Sequence, residues 1–139
     1  QRSSAASDVY KRQDRICALP AVWVGLLYDE DALEETEKIA KQISYEDVIE
    51  ATFDCSKTGL NSKIGKFKSQ ELEIELLKIA KTGLKKRNFL NSSGENETGY
   101  LSPLLNMAEE GKTLADTMLQ KYLKDWNKDP KKAIENQII

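Results

Sequence analysis

The sequence contains no histidine and only two cysteines among its 139 residues. A chain without histidine cannot assemble, from its own residues, a Ser–His–Asp triad, a Cys–His dyad or a zinc site with histidine ligands. Cys17 and Cys55 stand 38 positions apart and form no closely spaced metal-binding pair. These absences exclude the commonest forms of nucleophilic catalysis within this chain and favour a reducing compartment.

Long hydrophobic runs and an excess of charge of one sign are also missing. No apolar stretch approaches the roughly 20 residues that a membrane-spanning helix needs. Charged residues make up 32% of the chain, yet the formal net charge is only −2. This balance argues against nonspecific binding to nucleic acid or to a membrane surface. We therefore expect neither a nucleic acid nor a membrane as partner. Chains of this length usually form one domain, so we expect one folded unit.

The first thirteen residues differ in composition from the rest. They contain three basic residues and one acidic residue, for a net charge of +2, and are rich in Ser and Ala. One interpretation is a short transit peptide. We favour another: residues 8–13, DVYKRQ, back-translate to GAT GTG TAT AAG AGA CAG, which resembles a transposon end used to tag sequencing libraries. Residues 1–13 would then be an adaptor-derived leader, which the nucleotide record can test.

Helical signals dominate the remaining sequence. We predict that a first helix begins at about Pro20, where proline is tolerated because it has no N–H to lose. The helical spacing of four large side chains predicts its buried stripe, at Val22, Trp23, Leu26 and Leu27.

Capping and turn signals divide the rest of the chain into further helices. Asp29, Ser44 and Thr113 favour helix starts, Gly111 favours a left-handed helix end, and residues 91–98 predict a polar break. Residues 56–68 contain two glycines and show little periodicity, so they predict a loop. The predicted helices cover about 29–43, 44–53, 69–87, 102–110 and 113–126, followed by a polar tail over 128–139 that starts a last helix at Asp129–Pro130. We recognise no pair of strands, and the predicted fold class is mainly α.

One motif resembles a known family over fifteen consecutive residues. Residues 15–29 read RICALPAVWVGLLYD. They are similar to the segment R-(L/I)-C-A-L-P-A-(F/L)-W-V-G-L-L-Y-D of plant and proteobacterial glutamate–cysteine ligases. Val22 stands where the bulkier Phe or Leu is usual. Shorter matches follow in the family's order, at residues 58–60, 77–87, 100–101 and 111–126.

The resemblance implies that residues 14–127 are the helical C-terminal region of an α+β ligase. The antiparallel catalytic sheet of such an enzyme would lie upstream and be absent here. The parent enzyme would use ATP and Mg²⁺ to join the γ-carboxyl of glutamate to the amine of cysteine, the first step of glutathione synthesis. Since the family's metal ligands lie on the sheet, we expect no catalytic residue and no metal ligand here. The chain should therefore be inactive by itself.

The resemblance also implies the partners and the cellular location. Glutamate, cysteine and ATP would be the ligands of the parent enzyme. Its location would be cytoplasmic, or plastidial in a plant-like source, and its oligomeric state stays open. The alternative function is a free-standing helical module that binds another protein through an exposed apolar face.

Four residues of the motif are candidates for a functional role, each with a structural alternative. Trp23 and Tyr28 either pack in the core or line the substrate pocket, since this segment follows the active-site sheet in the family. Arg15 either clamps a carboxylate or phosphate or is simply solvated. Cys17 is either a small buried hydrophobic residue or, as plant relatives imply, half of a redox-sensitive disulfide. A pairing of Cys17 with Cys55 stays open.

Overall fold

The computed structural model describes the backbone of residues 2–135 and the side chains of residues 15–132, 134 and 135. The described chain is mainly α, as predicted. Its elements are α1 (Arg2–Leu27), α2 (Glu30–Ala40), α3 (Tyr45–Thr58), β1 (Lys63–Ile64), β2 (Phe67–Lys68), α4 (Ser69–Arg87), α5 (Ser102–Glu110), α6 (Leu114–Lys124) and α7 (Pro130–Glu135). Short 3-10 turns cover Gly59–Asn61 and Glu97–Leu101.

Capping residues set the starts of three helices, as the sequence predicts. Asp29 accepts a hydrogen bond from the backbone N–H of Ala32 at 3.0 Å and begins α2. Ser44 and Thr113 each form a reciprocal capping box with the aspartate three residues later, at the starts of α3 and α6. These bonds satisfy N–H groups that the first helical turn otherwise leaves without partners.

The core lies where α1, α2, α4, α5 and the second 3-10 turn meet. Its innermost side chains come from α4, the 3-10 turn and α5, where Ala80, Leu84, Leu101 and Ala108 have no exposed surface. Burial of such apolar side chains contributes about 25 cal/mol per Å² of surface removed from water. The central helix is α4, whose predicted bounds of 69 and 87 the structure confirms.

The start of α1 differs from the prediction. The helix begins at Arg2, and Pro20 lies inside it. A proline in a helix interior removes one backbone hydrogen bond and costs about 3 kcal/mol. Packing of the following turns against α4 offsets this cost, since Ala21 and Leu26 belong to the core. The proline therefore marks no boundary here, and the leader proposed for residues 1–13 stays a prediction.

The buried stripe of α1 also differs from the prediction. Leu26 is buried and Val22 is half-buried, but Trp23 and Leu27 are exposed. The buried positions are instead Ala18, Ala21, Gly25 and Leu26. A glycine stands at the closest point of this side because a Cβ atom at Gly25 would lie 2.3 Å from the carbonyl oxygen of Ala80 on α4.

Residues 56–68, which the sequence predicts as a loop without strands, contain regular secondary structure. Helix α3 continues past Phe53 to Thr58, and β1 and β2 pair as an antiparallel hairpin, with Ile64 opposite Phe67. The hairpin turn uses Gly65 at φ 56°, a conformation that glycine adopts without strain. The buried hydroxyls of Ser62 and Ser69 lie 2.6 Å apart and join the two ends of this hairpin. Strands of two residues are too short to give a periodic signal.

Candidate functional site

The candidate site is a polar cleft of about 970 Å³. It lies between the segment that follows α4, helix α5 and the start of α6, and Arg15 of α1 lines it as well. Its polar and charged lining residues are Arg15, Asn91, Glu95, Asn96, Thr98, Tyr100, Ser102, Asn106, Glu110, Lys112, Thr113 and Thr117.

Two asparagines build the loop that forms one wall of this cleft. The side-chain oxygen of Asn91 accepts backbone N–H bonds from Ser93 at 2.9 Å and from Glu95 at 3.0 Å. Asn96 accepts from the N–H of Thr98 at 3.1 Å and caps the 3-10 turn. Asparagine favours such turns because its short side chain bonds to the backbone two residues further on. The sequence predicted a polar break containing these two residues but not their role in forming the site.

The opposite wall is fixed by the connection between α5 and α6. Gly111 ends α5 in the left-handed conformation predicted for it, at φ 65°. The side-chain amide of Gln70 donates to the carbonyl of Ala108 at 2.7 Å and ties α5 to α4. Hydrogen bonds from the backbone and hydroxyl of Thr113 lower the pKa of Asp116, because they stabilise its charged form.

The lining favours binding over covalent chemistry. It contains hydroxyl and amide groups together with charges of both signs, from Arg15 and Lys112 and from Glu95 and Glu110. Neither cysteine lines the cleft, and the chain has no histidine. Such a surface suits a polar ligand that both donates and accepts hydrogen bonds.

The structure does not bring the four predicted site residues together. Arg15 is exposed and lines the cleft, whereas Cys17, Trp23 and Tyr28 do not. Trp23 and Tyr28 do not pack in the core of this chain, since 57% and 75% of their surfaces are exposed. The side chain of Cys17 is likewise exposed in this chain.

The cysteines are free. Cys17 and Cys55 are both unpaired, so the disulfide between them that the sequence left open is not formed. The Sγ atom of Cys55 lies 2.7 Å from the hydroxyl of Ser62, next to the hairpin. Whether Cys17 pairs with a residue outside this chain stays a prediction.

An arginine that the sequence did not single out contacts Tyr28. The guanidinium of Arg87, at the end of α4, lies 5.4 Å from the centre of the Tyr28 ring and equally far from that of Phe89. Its Nε atom is also 3.7 Å from a carboxylate oxygen of Glu97. Cation–π contact occurs within about 6 Å of a ring. Arg87 is the last residue of the family motif over residues 77–87 on α4. Its place in that motif is the sequence signal that could have identified it as a candidate.

The described residues contain neither a cluster suited to a metal ion nor a helix that could span a membrane. Among the described residues, no group of three or more cysteine or carboxylate side chains is placed to hold a metal ion. None of the described helices combines the length and the apolar character needed to cross a membrane.

Comparison with known proteins identifies relatives of this chain. The profile of glutamate-cysteine ligase family 2 matches residues 7–138. The chain is 32% identical over 112 residues to the chloroplastic glutamate–cysteine ligase of Brassica juncea. These 112 residues are 81% of this chain and 21% of the relative. It is 31% identical to the corresponding Solanum lycopersicum protein, over 81% of this chain and 20% of the relative.

A third relative gives the same picture. The chloroplastic glutamate–cysteine ligase A of Oryza sativa subsp. indica is 32% identical over 114 residues, which cover 82% of this chain and 22% of that protein. The chain thus spans about a fifth of the length of the curated relatives that it matches. Because the family profile covers nearly the whole sequence, this chain belongs to glutamate-cysteine ligase family 2.

Proposed function

We propose that this chain is the C-terminal helical region of a ligase that forms γ-glutamylcysteine in glutathione biosynthesis. The observation that carries the proposal is the family match over residues 7–138. The chloroplastic relatives extend well beyond the matched part, which supports the interpretation of the chain as one region of a longer enzyme. The chloroplast location of these relatives also supports a plastidial rather than a cytoplasmic parent enzyme.

We assign the reaction centre to the part of the parent enzyme outside this chain. In the proposed reaction, the γ-carboxylate of glutamate would take the terminal phosphoryl group of ATP with release of ADP, and the amine of cysteine would then displace phosphate to form the amide; Mg²⁺, when bound, would neutralise phosphate charge. We place the Mg²⁺ ligands outside this chain as well, on the sheet that the family resemblance implies; among the described residues, no group of three or more cysteine or carboxylate side chains is placed to hold a metal ion. The chain then contributes folded support and substrate contacts, and it is inactive by itself.

Arg15 remains our candidate for a substrate contact. It is exposed and lines a polar cleft, and a guanidinium binds carboxylates and phosphates through two parallel hydrogen bonds. Cys17 lies two positions further along α1, is exposed and has a free thiol, which leaves it available to a cysteine elsewhere in the parent enzyme.

A free-standing interaction module is the second candidate function. The exposed apolar side chains of α1 favour it, because exposed apolar patches mark binding surfaces. The upstream reading frame discriminates the two candidates. An in-frame domain rich in Glu and Arg supports the ligase, whereas an authentic start codon near residue 14 supports the module.

The direct test compares the chain with a chimeric ligase. In the chimera, the matched part of this chain replaces the corresponding 112 residues of the Brassica juncea relative. We expect the isolated chain to form no γ-glutamylcysteine from glutamate, cysteine, ATP and Mg²⁺, and we expect the chimera to form it. Product formation by the isolated chain, or a folded but inactive chimera, would contradict the proposal.

A further inference from the structure

Residues 16–28 of α1 and the turn after it contain no charged residue on any side. A surface helix of a globular protein normally carries polar side chains on the face opposite the core. A helix that is apolar all round is instead covered on all sides. This stretch therefore requires two covering surfaces, one on each side of α1.

The first covering surface is the core of this chain. Ala18, Ala21 and Leu26 are 0%, 7% and 5% exposed. A Cβ atom added at Gly25 would lie 2.3 Å from the carbonyl oxygen of Ala80, so α4 packs directly on the backbone of α1. This side of the helix is filled.

The second side of this stretch is uncovered. Ile16, Leu19, Trp23 and Leu27 are 71%, 60%, 57% and 47% exposed. Their spacing of three, four and four residues places them in one continuous stripe, since residues three or four apart are neighbours on a helix surface. We call these four residues the outer face.

The outer face differs from the exposed apolar side chains of α3 and of α6, because charged residues are interleaved with those of both helices, as with Asp116 and Lys121 between Leu114 and Leu123 of α6. On α3, Tyr45, Val48, Ile49 and Phe53 are exposed, but acidic residues alternate with them at positions 46, 47, 50 and 54. A stripe with charges on its flanks is compatible with solvent. The outer face has none between its first and last members.

We propose that the outer face packs against the remaining polypeptide of the ligase, and this inference rests on the proposed function. The matched relatives contain about four fifths of their length outside the part that this chain matches, so polypeptide of that amount is available to cover it. A contact within one chain has a high effective concentration and needs little area. A contact between two copies needs about 20–30 residues on each side, which a four-residue stripe does not supply.

The test is hydroxyl-radical footprinting read by mass spectrometry at single residues. Oxidation of Trp23 and Leu19 is compared between the isolated chain and the chimera with the Brassica juncea relative. We expect oxidation of both residues to fall several-fold in the chimera. Phe53, which is 68% exposed on α3, is the matched control and should be oxidised equally in both proteins. Equal oxidation of Trp23 in the two proteins would overturn the proposal.

Two further readouts separate this inference from the proposed function. A chimera that protects Trp23 but makes no γ-glutamylcysteine would contradict the proposed function and leave the interface intact. An active chimera with a fully oxidised Trp23 would contradict the interface alone. Protection of Trp23 in the isolated chain that grows with concentration would identify a second copy as the occupant and would also overturn the proposal.

A measurement on the isolated chain covers the case of a chimera that does not fold. Leu19→Gln and Trp23→Gln should leave the urea midpoint of the isolated chain unchanged, since both side chains are mostly exposed there. Leu26→Gln on the opposite side of α1 is the control and should lower it, because Leu26 is buried. A lower midpoint for either outer-face variant would show that the face belongs to this chain's own core, which would overturn the proposal.

Discussion

At the scale of single residues, two glycines set the distance between α1 and α4. A Cβ atom at Gly83 would lie 2.0 Å from the carbonyl oxygen of Gly25, and one at Gly25 would lie 2.3 Å from that of Ala80. Both contacts involve backbone atoms, which cannot rotate away as a side chain does. Glycine is therefore required at these positions for close approach, although it weakens a helix by about 1 kcal/mol relative to alanine.

Gly83→Ala should destabilise the chain in spite of the better helix propensity of alanine. Extra methyl groups in a packed core cost about 1–3 kcal/mol, and here the neighbouring atom is a carbonyl oxygen of α1. Urea unfolding followed by circular dichroism measures the loss. Gly99→Ala is the control, because a Cβ atom added there would meet no atom within 4 Å and the φ of Gly99 is not positive. Equal midpoints for the two variants would refute the packing argument.

The carboxylate of Glu73 lowers the stability of the folded chain at neutral pH. It is half-buried on α4, and burial raises its pKa above the ordinary value. An acid whose pKa is raised by folding destabilises the native state at pH values above that pKa, because its charged form loses hydration. The penalty disappears as the pH falls below the ordinary pKa, where the group is protonated in both states.

Glu73→Gln should therefore raise the urea midpoint at pH 7, and the gain should vanish near pH 3. Glu75→Gln removes the same charge from an exposed position of the same helix and should change the midpoint little at either pH. Unfolding curves of the three proteins at pH 7 and pH 3 provide the measurement. A gain that persists at pH 3 would show that the charge of Glu73 is not its cause.

At the scale of elements, the helix starts depend on local polar contacts. The hydroxyl of Ser44 accepts from the backbone N–H of Asp47 at 3.1 Å, and the Asp47 carboxylate accepts from the backbone N–H of Ser44 at 2.8 Å. These bonds lower the pKa of Asp47. The stabilisation from this carboxylate is present above its ordinary pKa and is lost as the pH falls through the lowered value.

Ser44→Ala should destabilise the chain by about 1 kcal/mol at pH 7, the usual cost of losing a capping hydroxyl. Urea unfolding measures this loss as a lower midpoint of the Ser44→Ala variant. Ser56→Ala is the matched control, because that hydroxyl donates to the carbonyl of Phe53 within the exposed part of α3 and caps no helix start. A Ser44→Ala midpoint no lower than that of the control would mean that α3 does not depend on its cap.

The elements that the sequence predicts well are those with local boundary signals. The caps at Ser44, Gly111 and Thr113 involve residues within about four positions of each other, so their residue types suffice. The start of α1 and the β1–β2 hairpin lack such a signal. Pro20 is compatible with a helix start, yet the helix extends before it, and a two-residue strand has no measurable period.

At the scale of the whole molecule, the described chain is folded around α4 but leaves one side of α1 open. Its core joins α1, α2, α4 and α5. The outer face is exposed, and this chain matches only about a fifth of the length of each relative. Our proposal explains both observations in the same way. Both follow if this chain is one region of a ligase whose remaining polypeptide covers α1.

Family membership, helical class and most helix boundaries were determined by the sequence alone, because motifs and caps are properties of neighbouring residues. Only the tertiary structure decided which side of α1 is buried. A helix that is apolar all round has no periodic signal to select a face, and the approach of α4 at Gly25 makes the choice. The structure likewise decided that Arg15 shares a cleft with residues 91–117 and that Arg87 contacts Tyr28. Those contacts join segments far apart in the chain, and packing of the helices brings them together.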